Sequence, residues 1–213
     1  MQMNGCSCRS GRFGETYGRS LKNSVKLVNE TSMGKTVRRS ENERGFVMFG
    51  FLTFGTTLTV ADLAIKNEIE KQDASAFPRE MKGTKGLIRL YRNHNPGFSF
   101  GFLTGSRAVE LFPLCITSGV AGIWAYMMGR RGRFVEKLSF TLVLAGGISN
   151  VIDRIRLGYV VDYVSIQWKA LKKVVFNLAD LFILAGCVML VAAQIGEELR
   201  EKLSEILKNH NCM

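Results

Sequence analysis

Apolar residues along this chain gather into four long stretches from which charge is almost absent. They run from Phe46 to about Ile65, from about Ala108 to Met128, from about Phe134 to Ile152, and from about Val174 to Ile195. A helix packed on a water-soluble core keeps a wet face, so charged residues interrupt its apolar positions every turn or so. Here they do not. Each stretch has about 20 residues, the length that carries a helix across roughly 30 Å of hydrocarbon. The pattern predicts four transmembrane helices, with a soluble helical bundle as the lesser alternative. The third stretch is the least apolar, because Glu136 and Lys137 stand at its start.

The polar segments between the stretches differ in character. Lys66 to Arg107 is a long excursion in which Leu87-Ile88-Arg89-Leu90-Tyr91 reads as a short strand, punctuated by Gly83, Gly86, Pro96 and Gly97. Asp153 to Lys173 is shorter and contains the β-branched and aromatic run Tyr159 to Ile166. On propensity these two segments pair as a small sheet over the helix ends. The predicted fold class is an all-α membrane protein: four transmembrane helices with a small extracytoplasmic β-element. Residues 1–45 are basic, rich in Gly and Ser, and without helical or strand period, which predicts a disordered tail. No apolar core followed by a small-residue cleavage site marks that tail as a secretory signal. Met33, followed by Lys35, Arg38, Arg39 and Arg44, suggests a start downstream of Met1. The expected organisation is therefore a tail over 1–45, a four-span domain over 46–196, and a charged helix or tail over 197–213.

Four spans put both termini on one side, together with the short turn Gly129-Arg130-Arg131-Gly132-Arg133. By the positive-inside rule that side is the cytoplasm. The net charge of +11 fits this arrangement, since the basic residues flank the spans, where anionic headgroups are the nearer partner. Aromatic and basic residues do not interleave as on a single-strand-binding surface, so no nucleic-acid partner is expected. Cys6, Cys8, Cys115, Cys187 and Cys212 lack the paired spacings of a zinc site. No metal or cofactor is expected, and the thiols read as free.

The candidate chemistry lies in carboxylates at membrane depth, where a charge is expensive and usually functional. Asp180 falls inside the fourth stretch, in Phe176-Asn177-Leu178-Ala179-Asp180. Asp162 falls in the preceding segment, in Val160-Val161-Asp162-Tyr163, with Lys169, Lys172 and Lys173 between the two. Two carboxylates held close at a partly dry site share one proton. The ionised one can take a proton from water while the other protonates a scissile amide. Spacing alone leaves other readings open: a helix cap, a structural pair, or a proton relay of a non-enzymatic carrier. Asn150, Asp153 and Arg154 close the third stretch, and Asp62 and Lys66 close the first as an i,i+4 pair that reads as structural. Glu110 and Glu136 lie near span ends and read as interfacial.

Four blocks carry a family resemblance over roughly residues 46–196. Asp62-Leu63-Ala64-Ile65-Lys66 looks like D-x-x-x-K. Arg92 to Phe100 is similar to R-N-x-G-A-A-F, with Asn95, Gly97 and Phe100 on matching positions. Gly146 to Arg154, then Gly158 and Val160 to Tyr163, is similar to G-G-x-x-G-N-x-x-D-R followed by G-x-V-V-D-F. Phe176 to Asp180 matches F-N-x-A-D. In these blocks the chain resembles lipoprotein signal peptidase, signal peptidase II.

The resemblance implies an aspartic endopeptidase with Asp162 and Asp180 as catalytic dyad. It implies a site lined or supported by Asn95, Gly97, Asn150, Asp153, Arg154, Asn177, Asp62 and Lys66. The implied substrates are prolipoproteins whose Cys already carries diacylglycerol, cut on the amino side of that Cys. Membrane lipid is the other implied partner. The protein is expected as a monomer in the bacterial inner membrane, with its site near the extracytoplasmic face. Phe98 and Ser99 replace two small residues, Ser149 replaces a Gly and Leu181 a Ser. These changes leave both carboxylates in place and bear on substrate access, so a paralogue with restricted substrates is the alternative enzyme reading.

Overall fold

The computed structural model describes residues 43, 45–97, 108–130 and 132–210. Phe98, Ser99, Phe100 and Arg131, the expectations for the tail and Met33, and Cys6, Cys8 and Cys212 lie outside them. Val47–Met213 forms one compact unit; of the other, Met1–Phe46, the described residues are Glu43, Gly45 and Phe46. Four helices are long and apolar enough to cross a membrane. They are α1 (Gly45–Lys71), α2 (Ala108–Met128), α3 (Phe134–Leu157) and α4 (Leu178–His210). A three-stranded antiparallel sheet, order β1-β2-β3, is formed by Arg79–Glu80, Ile88–Asn95 and Val160–Ile166. The protein is a multi-pass membrane protein with a small sheet, as the apolar pattern predicts.

Burial runs opposite to that of a water-soluble protein. Leu52, Phe54, Val60, Leu184, Val188 and Val191 are exposed, whereas Thr59, Asp62, Lys66, Ser139, Thr141, Ser149, Asn150, Asp153 and Asn177 are buried. Lipid tails are as apolar as leucine, so helices in a bilayer associate through close packing and hydrogen bonds rather than apolar burial. Both devices are present. Thr59 Oγ1 donates across to the Ala145 carbonyl at 3.1 Å, and Trp124 Nε1 donates to Thr141 Oγ1 at 2.8 Å. Gly146 and Gly186 let α3 and α4 touch backbone to backbone: a Cβ on Gly146 would collide with the Ala179 carbonyl, and one on Gly186 with the Ser139 carbonyl. Lys137 is buried and donates to the Arg130 carbonyl at 2.6 Å, tying the α2–α3 turn to the start of α3.

Three local features aim the sheet at the helix ends. Gly158, with φ +79, caps α3 in the left-handed region, so the chain reverses within two residues and enters β3. β2 opposes Asn93 to Asp162 and Leu90 to Val164, and the irregularity between Leu90 and Asn93 gives β2 one residue more than β3, which bends and re-aims the strand. Phe176 then pairs with Val164 through two 2.8 Å hydrogen bonds, which brings Asn177 beside β3 just before α4 begins.

The element bounds differ from expectation in five places. α1 continues past Ile65 to Lys71, so that Lys66, expected to open the polar excursion, lies within the helix. β2 extends past Tyr91 to Asn95 because its second half pairs with β3. α3 continues past Ile152 to Leu157, ended by Gly158 rather than by loss of apolar character. α4 starts at Leu178, not near Val174, because Lys169–Lys173 forms a short 3-10 turn and Phe176 pairs with the sheet. Gly196 does not break α4, which runs on as one helix of 33 residues, about 50 Å at 1.5 Å per residue.

Candidate active site

Asp162 lies on β3 and Asp180 in the first turn of α4, and Asn177 joins them. Asn177 precedes Leu178 as N-cap. Its Oδ1 accepts the Asp180 backbone N–H at 2.9 Å, and Asp180 Oδ2 accepts the Asn177 backbone N–H at 3.2 Å. This is a reciprocal capping box built from Asn and Asp, which satisfies two of the helix's orphan donors. The remaining amide group, Asn177 Nδ2, donates to Asp162 Oδ1 at 2.8 Å. One buried side chain thus fixes both carboxylates.

Each carboxylate has one further donor. Asn95 Nδ2 reaches Asp162 Oδ2 at 3.2 Å, and Asn150 Nδ2 reaches Asp180 Oδ1 at 2.9 Å. All four carboxylate oxygens therefore accept an N–H. Gly97 acts through its backbone: its N–H donates to Asn95 Oδ1 at 3.2 Å, and its carbonyl accepts from Arg154 Nη2 at 3.2 Å. Arg154 also donates to the Asn150 carbonyl at 3.1 Å, and its charge acts on both Asp162 and Asp180. Its Nε is buried and without a partner among the described residues.

Behind this layer lies a buried ionic cluster. Lys66, 2% exposed, sits 2.8 Å from Asp62 Oδ2, 2.9 Å from Asp153 Oδ2 and 2.8 Å from Asn150 Oδ1. Asp62 is completed by Ser149 Oγ at 2.6 Å and Tyr163 Oη at 3.0 Å. Tyr163 Oη in turn accepts the Leu178 N–H at 3.2 Å, and Asp153 Oδ2 accepts the Val161 N–H at 3.3 Å. Every residue expected at the site is therefore found in one connected network drawn from α1, β2, α3, β3 and α4. The i,i+4 pair of Asp62 and Lys66 is real but is only part of Lys66's role, since the ammonium also reaches Asp153 and Asn150.

Sequence reasoning missed Ser149 and Tyr163 as members of this network. Gly146, Ser149, Asn150 and Asp153 recur at helical spacing, and that stripe was a signal for Ser149. Tyr163 offered only a hydroxyl on an otherwise apolar strand. A second cluster was also missed. Glu70 at the end of α1 pairs with Arg92 at 3.1 Å and with His94 at 2.7 Å, and His94 stacks on Tyr159 with centroids 4.2 Å apart. It fastens β2, and so Asn95, to α1.

The surroundings set the electrostatics. Burial, and then the charge of Asp180, push the Asp162 carboxyl up from its ordinary 3.8 to about 6, against the pull of the Asn95 and Asn177 hydrogen bonds. Burial and the adjacent Asp62 also raise the Tyr163 phenol, which stays a neutral hydroxyl able to donate. Such a pair, one carboxyl poised near neutrality beside another, can exchange protons with water and with a bound amide. Among the described residues no cluster of His, Cys, Asp and Glu is arranged to hold a metal ion.

Residues 55–195 match the family described as Signal peptidase (SPase) II. The chain belongs to the signal peptidase II family. Among its relatives, the lipoprotein signal peptidase of Sinorhizobium fredii is 30% identical over 150 residues, covering 70% of this chain and 86% of that protein. The enzyme of the same name from Allorhizobium ampelinum is 32% identical over 146 residues, covering 68% and 86%. A bacterial membrane enzyme solved by the in meso method at 2.3 Å superposes with a TM-score of 0.60 over 70% of this chain and 89% of that one, at 19% identity. The last likeness shows the fold; the first three place the chain in a family of peptidases. All ten residues of the network named from sequence fall within the matched segment.

Proposed function

We propose that this chain is a lipoprotein signal peptidase: a membrane aspartic endopeptidase that removes signal peptides from diacylglyceryl-modified prolipoproteins. Cleavage falls on the amino side of the lipidated Cys. The observation that carries this reading is the pair Asp162–Asp180, bridged by Asn177 and supplied with N–H donors on all four oxygens. A substrate anchored by two acyl chains stays in the leaflet, so its scissile bond arrives at the helix ends where these carboxylates lie.

The chemistry follows from two carboxyl groups sharing one proton. The ionised carboxylate takes a proton from water as the water oxygen bonds to the scissile carbonyl carbon. The protonated carboxyl gives its proton to the carbonyl oxygen. Collapse of the tetrahedral species breaks the C–N bond, with a proton passed to nitrogen, and leaves a carboxylic acid and an amine. A relay or carrier would need acids spaced through the membrane, whereas Asp62, Asp153, Asp162 and Asp180 gather at one end of the helices.

The catalytic core is residues 46–196, with the tail over 1–45 and the charged end over 197–213 on the cytoplasmic side and the sheet on the other. The arginine-rich turn between α2 and α3 supports that orientation. We read the protein as a monomer. The test is cleavage of a diacylglyceryl-modified prolipoprotein by the purified protein. Asp162→Asn and Asp180→Asn should each lower kcat by about 10²–10⁴-fold, the range for loss of a proton-transfer group. Wild-type turnover in either variant sinks the dyad.

A further inference from the structure

The three asparagines around the carboxylates have in common that a donor occupies each amide oxygen. Gly97 N–H donates to Asn95 Oδ1, Asp180 N–H to Asn177 Oδ1, and Lys66 Nζ to Asn150 Oδ1. A backbone N–H and an ammonium are donors only. Each amide is therefore locked with its N–H2 toward a carboxylate; a flip would set nitrogen against donor and oxygen against carboxylate. Lys66 is the charged lock. Its three nearest acceptors, one for each N–H, are Asp62 Oδ2, Asp153 Oδ2 and Asn150 Oδ1, at 2.8, 2.9 and 2.8 Å, with Ser149 Oγ farther off at 3.4 Å. An ammonium on the amide oxygen polarises Asn150 in the sense that strengthens its donation to Asp180.

The two carboxylates are consequently unequal. Asp180 accepts the lysine-backed amide of Asn150 and a backbone N–H, and it lies in the first turn of α4, where the positive end of the helix favours an anion. Asp162 stands on a strand and accepts from two neutral side-chain amides. The charged groups around the pair are Lys66 and Asp62 from α1 and Asp153 and Arg154 from α3, and the charges of Lys66 and Arg154 act on both carboxylates through space. What separates the two is the Lys66–Asn150 link and the helix end.

We propose that Lys66 is a positioning residue that sets the polarity of the dyad through Asn150, so that Asp180 is the ionised base and Asp162 the acid. This rests on the aspartic-peptidase reading. In the attack step the water oxygen bonds to the carbonyl carbon and its proton goes to Asp180. The carbonyl π pair moves to oxygen, which takes the proton of Asp162. The product is a neutral gem-diol; Asp162, whose proton is now on the former carbonyl oxygen, is ionised, and Asp180 holds the proton taken from water.

The chain has five aspartates, few enough to follow one by one. Protein labelled with carbon-13 at the aspartate carboxyls is titrated by NMR in detergent micelles, with Asp162→Asn and Asp180→Asn assigning the two signals. Expected is a range around pH 6 in which Asp162 gives the acid signal and Asp180 the carboxylate signal. Lys66→Met should move the Asp180 signal toward the acid position and shrink the gap between the two by more than half. If Lys66→Met does not fold, Asn150→Leu keeps the lysine pairs, removes the link and should do the same. A purely structural Lys66 would lower stability and leave the order and gap of the signals alone. Reversed order in the wild type, or an unmoved Asp180 signal in whichever of these variants folds, overturns the proposal. No cleavage is measured, so an inactive protein with this polarity sinks the peptidase reading alone, and an active one with reversed order sinks only the polarity.

Discussion

Asp62 and Lys66 on α1 lie four residues apart with their charges at 2.8 Å, and Glu198 and Lys202 on α4 lie four apart at 2.9 Å. The first pair is 0% and 2% exposed; the second is 67% exposed on both sides. The same spacing and the same bond length thus occur in opposite settings. In the buried pair, each charge has lost its water and depends on its partners, so removing one strands the others. In the exposed pair, water replaces whatever is removed, and ordering two long side chains offsets most of the attraction. A salt bridge read from spacing says nothing of its energetic weight until its surroundings are known.

The largest expected effect comes from breaking the buried pair. Lys66→Met should destabilise the protein by about 3–5 kcal/mol, the range for stranding a buried ionic partner. Two carboxylates, Asp62 and Asp153, lose their counter-charge and the Asn150 amide oxygen its ammonium donor at once, leaving Asp62 with two hydroxyls and Asp153 with one backbone N–H. Thermal unfolding in detergent reads the loss. A midpoint within a degree or two of wild type would mean that the cluster is wetter than its burial indicates.

Next is the pH dependence contributed by Asp162. Its carboxyl is raised to about 6 in the fold, from an ordinary 3.8. The neutral form is therefore the one the fold prefers. Its contribution is fully present below about pH 4 and is lost as pH rises through about 6. At 1.36 kcal/mol per pH unit this amounts to at most about 3 kcal/mol near neutrality. Asp162→Asn removes the titration. An Asn there sets its N–H2 against the amide of Asn95 or Asn177, a loss of about 1 kcal/mol that does not vary with pH. Relative to wild type, the variant should thus gain stability from pH 4 to pH 7. A flat difference across that range would remove the burial argument for Asp162.

The comparison also marks where sequence reasoning reached and where it stopped. The four spans were legible because an apolar run of sufficient length has few other uses in a protein. The two carboxylates were legible as candidates because charge at that depth is costly, but spacing left a cap, a structural pair or a relay open, and the dyad came only with the family resemblance. The sheet was legible only as propensity, since its register depends on a β-bulge and on the pairing of Phe176 with Val164, both long-range events. Asp62–Lys66 was read as a self-contained pair because an i,i+4 spacing already explains both charges. Its further partners, Ser149, Asn150 and Asp153, come from a helix some 83 or more residues away. Gly146 could be read as a small residue in a helix, but the carbonyl it faces belongs to Ala179 at the start of α4. Local pattern finds what must be buried or charged; which groups meet is decided by packing.

Tyr163 tests a smaller edge of the buried cluster. Its hydroxyl donates to Asp62 and accepts the first N–H of α4 at Leu178. Tyr163→Phe keeps the ring and removes both bonds, so it should reduce stability by about 1–3 kcal/mol, less than Lys66→Met because no charge is stranded. Asp180 lies two residues past Leu178, so cleavage should also slow, through kcat rather than KM, if the α4 start shifts. Unchanged unfolding and turnover would show that α4 is held by the Asn177 cap alone.

The smallest effect belongs to the exposed pair, and it is the control that gives the comparison its meaning. Lys202→Met removes the same charge from the same spacing as Lys66→Met. The expected loss is about 0.3–0.5 kcal/mol, and it should fade in high salt because both partners face solvent. Leu199, Leu203 and Ile206 are already exposed on this part of α4, so a methionine at 202 adds little apolar surface of a new kind. The ratio of the two lysine effects, about tenfold in free energy, measures the surroundings, which for Lys66 include the further partners Asp153 and Asn150 as well as the loss of water. A loss at Lys202 comparable to that at Lys66 would mean that the C-terminal part of α4 is covered in the membrane-embedded protein, and the exposed member of the comparison would no longer be exposed.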